Sequence, residues 1–191
     1  MDYKALFHIA LLLISSPARA WEEIGLEEDN RRVTAGFVYP LIGLCGLSVF
    51  IGCLIGRGWS GPESFQYAMT RCCAVAVSLF GGFYLAAYLL NLVRVNVFTT
   101  ESDLPLCQRF VGYAMVVALL LRVVVGLLPD ITLVAVLLQF YTFYVVWEGS
   151  TRMMQVDNPS RMRFTVIASV IILLCPVIID MAFNKLMVVF N

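Results

Sequence analysis

Five stretches of this sequence are apolar over the length that a helix needs to cross a lipid bilayer. A bilayer core is spanned by roughly 20 mostly apolar helical residues, and backbone polar groups are satisfied there only within a helix or a closed barrel. The sequence therefore predicts an all-α, polytopic membrane bundle whose five transmembrane helices lie at about residues 34–56, 72–93, 110–128, 131–147 and 164–183.

The amino-acid composition is that of a membrane protein. Hydrophobic residues make up 61% of the chain and charged residues 14%, whereas an ordinary soluble domain is about a quarter charged. The formal net charge is zero, and the 13 Lys and Arg residues are dispersed in ones and twos. Cations dispersed in this way do not form the basic stripe that binds a nucleic-acid backbone. We therefore expect the lipid bilayer as a partner and no nucleic acid.

The sequence contains few residues that could support catalysis or bind a metal ion. His8 is the single histidine, so neither an H-x-x-x-H metal pair nor a Ser-His or Cys-His dyad can form within the membrane. The six cysteines contain no C-x-x-C pair, and we interpret them as small buried hydrophobic residues. The sequence predicts a non-enzymatic protein with no catalytic residue, metal or cofactor.

Residues 1–32 form a predicted cytoplasmic segment that precedes a transmembrane domain of residues 33–191. The Ala-Arg-Ala sequence at 18–20 is compatible with cleavage of a secretory signal. The acidic start and the short apolar run instead favour a retained amphipathic helix over residues 3–14, lying in the membrane interface. We expect the retained form, with Trp21 as an aromatic anchor at the interface.

Charged residues cluster in this N-terminal segment. Lys4 and His8 lie one helical turn apart and are predicted on the aqueous side of the interfacial helix. The two acidic pairs that follow are interpreted as a solvated face, with a docking surface for a basic partner as the alternative; they are Glu22-Glu23 and Glu27-Glu28.

The distribution of positive charge predicts the orientation of the chain. Nine cations fall on the side of the N-terminus, namely Lys4, Arg19, Arg31, Arg32, Arg94, Arg109, Arg152, Arg161 and Arg163. Three fall on the other side, namely Arg57, Arg71 and Lys185. Because cytoplasmic loops carry the excess of Lys and Arg, we expect a cytoplasmic N-terminus and a C-terminus outside.

Two stripes of small residues recur every fourth position. The first span carries Ser48, Gly52 and Gly56, and the second span carries Ala74, Ser78, Gly82 and Ala86. Small residues let helix backbones approach closely in lipid. We expect the two stripes to pack against each other within one chain, and a homo-oligomeric face is the alternative.

Prolines occur inside two of the predicted spans. Pro40 lies in the first span and Pro176 in the last, and each frees a backbone carbonyl. They are interpreted as bends in these helices, the alternative being a substrate site.

Three polar residues within the spans form a predicted cluster. Arg122, Asp180 and Gln139 lie on three different spans, at similar depths in the outer half of the membrane. Ionisable residues are costly in a span and usually pair or face water. We expect an ion pair between Arg122 and Asp180 with Gln139 nearby. A structural clasp is favoured over a transport site, and separate snorkelling of the two charges is a further alternative.

Several segments resemble a known family. A short apolar helix is followed by Ser16-Pro17 and Trp21-Glu22, the first span contains Tyr39-Pro40, and "FYTFYVVWEGSTRMMQV" leads to a last span through Asn158-Pro159. This pattern resembles the Yip family, five-span membrane proteins first known as partners of Rab-type GTPases. The short length is similar to that of the bacterial members, which implies a bacterial inner membrane.

The function expected from these features is that of a membrane-embedded scaffold. Its partners would be membrane proteins or a second copy of the chain, in addition to the bilayer. One alternative is a small transporter or channel that uses Arg122, Asp180 and Gln139. The other is an accessory subunit of a larger membrane complex. Five spans without an internal repeat disfavour an inverted-repeat transporter.

Overall fold

The fold is described by a computed structural model for residues 3–25, 33–57 and 61–189. Within these ranges no β-strand occurs, and short connections join the helices. The α-helices are α1 (Tyr3–Ser15), α2 (Pro17–Gly25), α3 (Tyr39–Arg57), α4 (Pro62–Val97), α5 (Leu104–Ala114), α6 (Val116–Leu127), α7 (Thr132–Leu138), α8 (Tyr141–Arg152) and α9 (Asn158–Val189). A π-helical turn, Thr34–Val38, leads into α3, and a 3₁₀ turn, Pro129–Ile131, leads into α7.

Four helical segments among the described residues are long and apolar enough to cross a membrane. They are Thr34–Gly56, Pro62–Val97, Pro129–Arg152 and Asn158–Lys185. Helices α5 and α6 pass the same test together, with a bend of 42° between them. The predicted all-α membrane bundle is confirmed, and the bent pair counted as one span gives the five predicted spans.

The second and last spans are longer than their apolar runs. Helix α4 contains 36 residues and α9 contains 32. At 1.5 Å per residue α4 is about 54 Å long, well beyond the hydrocarbon thickness of about 30 Å. Pro62 at its start and Glu63 in its first turn suit a helix N-terminus. Arg71, expected in a loop, therefore lies inside a helix.

The two prolines inside spans have different structural effects. Pro40 follows the π-helical turn, in which the N–H of Tyr39 donates to the carbonyl of Thr34. This wider turn accommodates a residue that cannot donate a backbone hydrogen bond. Pro176 lies within the continuous helix α9 and packs against Gly82 of α4.

The N-terminal helices pack onto the bundle. On α1 the side chains of Leu6, Ala10 and Leu13 are buried, whereas Lys4 and His8 are exposed. The opposite side of α1 also exposes large apolar side chains, namely Phe7, Leu11 and Ile14. The prediction of a simple amphipathic helix was therefore incomplete, because α1 has a second apolar face.

Trp21 does not occupy the interface as an anchor, and this expectation was wrong. Its side chain is fully buried and stacks on Phe110 with ring centroids 5.2 Å apart. The indole Nε1–H donates to the carbonyl of Val145 at 2.9 Å. Glu27, Glu28, Arg31 and Arg32 lie outside the described residues.

The core of the bundle lies where α4, α5 and α9 meet. Phe83, Phe110 and Phe164 are fully buried there, and the rings of Phe110 and Phe164 are 6.0 Å apart. Large apolar side chains also cover much of the outer surface, such as Leu133, Leu137 and Phe140 around α7. An apolar exterior is what a bilayer solvates, which fits a multi-span membrane protein.

The cysteines only partly follow the expectation of buried hydrophobic residues. Cys45, Cys107 and Cys175 are buried, Cys53 and Cys72 are half-buried, and Cys73 is exposed. All six are free thiols. The thiol of Cys45 donates to the carbonyl of Leu119 at 3.2 Å and so links the first and third spans.

Candidate functional site

Arg122 on α6 and Asp180 on α9 form an ion pair. Arg122 Nη2 lies 4.0 Å from Asp180 Oδ1, and the two side chains are 39% and 24% exposed. This separation exceeds the usual 2.7–3.2 Å of an N–H···O hydrogen bond, so the contact is one of charge. The structure thus brings together the two intramembrane charges that the sequence singled out.

Asp180 is connected to a second cation through an amide. Asn184, one turn further along α9, donates from Nδ2 to Asp180 Oδ2 at 3.2 Å. Arg71 of α4 donates from Nη1 to Asn184 Oδ1 at 3.3 Å. The other carboxylate oxygen, Asp180 Oδ1, is buried and accepts no hydrogen bond from the described residues. The carboxylate therefore lies between Arg122 and Arg71.

Sequence reasoning missed Asn184 and Arg71. The spacing of four residues between Asp180 and Asn184 was available as a signal, since such pairs share one helix face. Arg71 could not be recognised because it precedes the second apolar run and was assigned to a loop. Its inclusion depends on the extension of α4 as a regular helix beyond that run.

Gln139 lies at an interruption of the fourth span, between α7 and α8. The N–H of Thr142 donates to the Gln139 carbonyl at 3.0 Å, and the N–H of Phe140 donates to the Leu137 carbonyl at 3.2 Å. These are the i→i+3 bonds of a 3₁₀ turn, which often marks a hinge in a helix. Gln139 shares a cavity of about 150 Å³ with Arg122 and Asp180.

The size of this cavity limits the chemistry it can support. Ligand pockets usually measure about 300–1,000 Å³, whereas this cavity holds about 150 Å³. Its lining includes Ser78 of the second stripe and Pro176. A space this small suits a few ordered waters around the charges. The three predicted residues thus share one cavity, with a mostly apolar lining, that is smaller than a typical site for an organic substrate.

The two small-residue stripes make close contacts with different helices. A Cβ atom at Gly52 would overlap the carbonyl of Gly126 on α6, and one at Gly126 would lie 2.5 Å from Ser48 Oγ. A Cβ atom at Gly82 would lie 2.6 Å from Pro176 Cα on α9. The closest approaches at Gly52 and Gly82 are therefore to α6 and α9 and not between the two stripes.

The remaining stripe residues divide between packed and open positions. Ala74, Ser78 and Ala86 are buried, whereas a Cβ atom at Gly56 would have no neighbour within 4 Å among the described residues. The first two spans still contact each other. A Cβ atom at Gly46 would lie 3.2 Å from Cys72 Sγ, so this contact uses a glycine outside the predicted stripe.

A second polar cluster lies at the opposite end of the bundle. The guanidinium of Arg161 lies over the Trp147 ring, 4.0 Å from its centroid, and donates to the Trp147 carbonyl at 2.9 Å. Glu148 Oε1 lies 3.9 Å from Arg161 Nη2, and Glu148 Oε2 lies 3.4 Å from Arg152 Nε. Arg152 also pairs with Glu22 of α2.

This cluster joins α2 to the start of the last span, and sequence reasoning did not find it. Glu22 was interpreted as part of a solvated face, and its side chain is indeed 65% exposed. The spacing of Glu148 and Arg152 was a usable signal, because residues four apart are neighbours on a helix. The contact between Arg152 and Glu22 spans 130 positions and has no local sequence signal.

Side chains that commonly bind metals are scattered in the part of the chain that the structure describes. Within that part, no group of three or more His, Cys, Asp or Glu side chains could hold a metal ion.

Comparison with known proteins supplies a family assignment. The sequence profile of the Yip1 domain matches residues 11–179, which include α2 and the whole of the bundle through Ile179, the residue before Asp180. No curated protein matches the chain significantly. No solved structure matches it significantly either.

Proposed function

Because the chain belongs to the Yip1 domain family, we propose that this multi-span membrane protein is a non-enzymatic scaffold. It holds protein partners at the membrane through the face formed by α2 and the α8–α9 connection. These partners are other membrane proteins or a second copy of the chain. The docking of Trp21 into the bundle core is the observation that carries the proposal.

Trp21 makes α2 a fixed part of the bundle. Its ring contacts Phe110 and Tyr113, with centroids 5.2 Å and 6.3 Å away, and Gly149 leaves space for it, since a Cβ there would lie 2.6 Å from Trp21 Cε2. A large aromatic side chain buried in this way contributes several kcal/mol, roughly 3–5 by truncation. The charged side of α2 is therefore presented in one orientation, as a partner surface requires.

The exposed side of α2 carries mixed charges. His8 Nδ1 of α1 lies 4.0 Å from Glu23 Oε1, and both side chains are more than half exposed. Glu22 is paired with Arg152 at the same end of the bundle. Exposed charges at the edge of an interface contribute more to the orientation and association rate of a bound partner than to its affinity. They support a docking role for this face.

The separation of two cavities among the described residues supports a scaffold over a transporter. The outer cavity is lined by Leu79 and a second cavity by Arg94, both on α4. The fifteen helical steps from Leu79 to Arg94 correspond to a rise of about 22 Å. Phe83, Ala87 and Leu90 are fully buried in that interval. A packed apolar layer of this thickness is unfavourable for a conducting path.

The orientation proposed for the scaffold places the N-terminus in the cytoplasm and the C-terminus outside, in an inner membrane. The excess of Lys and Arg on the N-terminal side supports it. In this orientation the face formed by α2 and the α8–α9 connection is cytoplasmic, where the cytoplasmic segments of other membrane proteins or of a second copy can contact it.

A small transporter is the second candidate function, and one observation favours it. The pair of Arg122 and Asp180 lies beside the helix interruption at Gln139, and intramembrane charges next to a hinge are typical of ion pathways. In this candidate Asp180 would exchange a proton or cation with the cavity.

Two measurements separate the candidates. A photo-crosslinking side chain at Glu23 should give adducts with partner chains in native membranes, and adducts should be lost when Trp21→Ala releases α2. The same side chain at exposed Asp130, at the other end of the bundle, is the control. Equal adducts at both positions would contradict the scaffold face.

Ion flux into proteoliposomes provides the second measurement. A scaffold gives the same flux for the wild type, for Asp180→Asn and for empty vesicles. A wild-type flux that is lost in Asp180→Asn would replace the scaffold by the transporter.

A further inference from the structure

A second cavity, of about 290 Å³, lies where α4 ends and α9 begins. Its lining includes Arg94 and Phe98 from the end of α4 and Asp157 and Ser160 from the start of α9. Both positions are at the cytoplasmic end of the bundle in the proposed orientation. The volume is at the lower end of the range of about 300–1,000 Å³ for ligand pockets, so it suits a headgroup-sized ligand.

Arg94 is a buried cation whose described side-chain hydrogen bond is to a sulfur atom. Its residue is only 7% exposed, and Nη1 donates to Cys107 Sγ at 3.8 Å, which is a weak contact. Among the described residues no carboxylate lies within ion-pair distance of it; the nearby Asp103 accepts from the N–H of Leu106 as the cap of α5. A guanidinium has five donors, and burying it without an anion is costly. The cavity therefore contains a preformed position for an anion.

The backbone around the cavity adopts an uncommon conformation. Thr99 has φ 52° and Gln155 has φ 51°, and they are the non-glycine residues with positive φ in the part of the chain described. Both line this cavity. Left-handed backbone at non-glycine residues concentrates at ligand sites, where it positions neighbouring groups. The two residues with left-handed backbone thus line the same cavity as the buried Arg94.

The cavity is also lined by a carboxylate and a hydroxyl. Asp157 is exposed and lines the cavity without pairing with Arg94 among the described contacts. The hydroxyl of Ser160 lines the same cavity from the first turn of α9, where backbone N–H groups favour negative charge. A ligand that pairs with both Arg94 and Asp157 carries an anionic group and, a short distance away, a cationic group.

We propose that this cavity binds the headgroup of a zwitterionic aminophospholipid. The phosphate contacts the Arg94 guanidinium and the Ser160 hydroxyl, and the ammonium group contacts the Asp157 carboxylate. Val97 lines the same cavity and exposes its apolar side chain, so the lipid can leave its acyl chains in the bilayer. Gln155 and Asp157 of the α8–α9 connection line this cavity, but lipid retention is measured without a protein partner, so the lipid site can fail or hold separately from the scaffold proposal.

The experiment measures lipid retention by the full chain. The purified protein is exchanged into detergent micelles with equal amounts of phosphatidylethanolamine and phosphatidylglycerol, and bound lipid is counted by native mass spectrometry. The wild type should retain one phosphatidylethanolamine. Arg94→Gln should reduce retention at least about tenfold, as expected for the loss of one charge-assisted contact. Arg163→Gln, an exposed cation outside the cavity lining, should leave retention unchanged.

Asp157→Asn tests the ammonium contact in a variant whose exposed position allows normal folding. It should abolish the preference for phosphatidylethanolamine over phosphatidylglycerol while a phospholipid is still retained. An unchanged preference in Asp157→Asn, or unchanged retention in a folded Arg94→Gln, overturns the proposal. Displacement of the lipid by inorganic phosphate as effectively as by soluble phosphoethanolamine assigns the site to a soluble anion and also overturns it.

Discussion

The indole Nε1–H of Trp21 donates a 2.9 Å hydrogen bond to the carbonyl of Val145, a residue 124 positions away. Both residues are fully buried. The bond uses a carbonyl of the fourth span, whose backbone would otherwise pair only within its own helix. Helix α2 is therefore a structural part of the membrane bundle.

The first prediction concerns Trp21. Trp21→Phe removes the hydrogen bond but keeps an aromatic ring against Phe110, and should cost about 1 kcal/mol of unfolding free energy. Trp21→Ala should cost about 3–5 kcal/mol, because it also leaves a cavity. Thermal unfolding in detergent measures both. Phe7→Ala, at an exposed position on α1, is the control, and equal losses in Phe7→Ala and Trp21→Ala would contradict the core position of Trp21.

The second prediction concerns the ion pair. Arg122→Ala and Asp180→Ala should each destabilise the protein by roughly 1–3 kcal/mol, since each leaves a charge without its partner. The double variant should lose less than the sum, because no charge remains stranded. Thermal unfolding of all four proteins gives the coupling energy. Strictly additive losses would show that the two side chains act separately.

The third prediction concerns close helix packing. Gly52→Ala and Gly82→Ala should each lower stability by about 1–3 kcal/mol or more, because the added Cβ meets the backbone of Gly126 or of Pro176. Gly56→Ala is the matched control, since a Cβ atom there has no described neighbour within 4 Å. If all three substitutions leave stability unchanged, the helices do not approach as closely as described.

The fourth prediction concerns orientation. Reporter fusions at Gln155, between α8 and α9, should report the cytoplasm, and fusions at Asn191 should report the outside. The last span separates the two positions, and the excess of Lys and Arg sets the side. Reporters on the same side at both positions would rule out α9 as a membrane span.

The sequence was sufficient to locate Arg122, Asp180 and Gln139 at a common depth. Hydropathy gives the apolar part of each span, and 1.5 Å per residue then gives an approximate depth for each polar group. The shared cavity of these three residues could be anticipated because it required only similar positions along the spans and opposite charge. It did not require the identity of neighbouring helices, which periodicity in a single sequence does not provide.

The burial of Trp21 and Arg94 does depend on those neighbours. Trp21 follows a short apolar helix, and at such a position the sequence is compatible with an interfacial anchor as well as with a core residue. The space beside Gly149 is what admits its ring into the core. Arg94 was counted as an ordinary loop cation, because nothing local indicates that α4 continues past it and that α9 packs over it. The same limitation explains why the sequence did not identify α6 and α9 as the helices that Gly52 and Gly82 approach.

The last prediction concerns Glu148, which lies between two arginines. Its carboxylate is 18% exposed, with Arg152 Nε at 3.4 Å and Arg161 Nη2 at 3.9 Å. Glu148→Gln removes the charge that both cations share, and should cost roughly 1–3 kcal/mol, as for a part-buried charged hydrogen bond. Arg161 keeps its contacts with the carbonyl and ring of Trp147, so the loss should remain within this range.

Glu22→Gln is the informative comparison for Glu148→Gln. It removes the other carboxylate of Arg152, but the Glu22 side chain is 65% exposed, and exposed ion pairs contribute only about 0–1 kcal/mol. Thermal unfolding should therefore rank Glu148→Gln well below Glu22→Gln in stability. Hydrogen exchange of the α2 amides should rise more in Trp21→Ala than in either charge variant, because burial holds α2 and the ion pairs only orient it. A larger increase in Glu22→Gln would mean that charge, and not the buried indole, attaches α2 to the bundle.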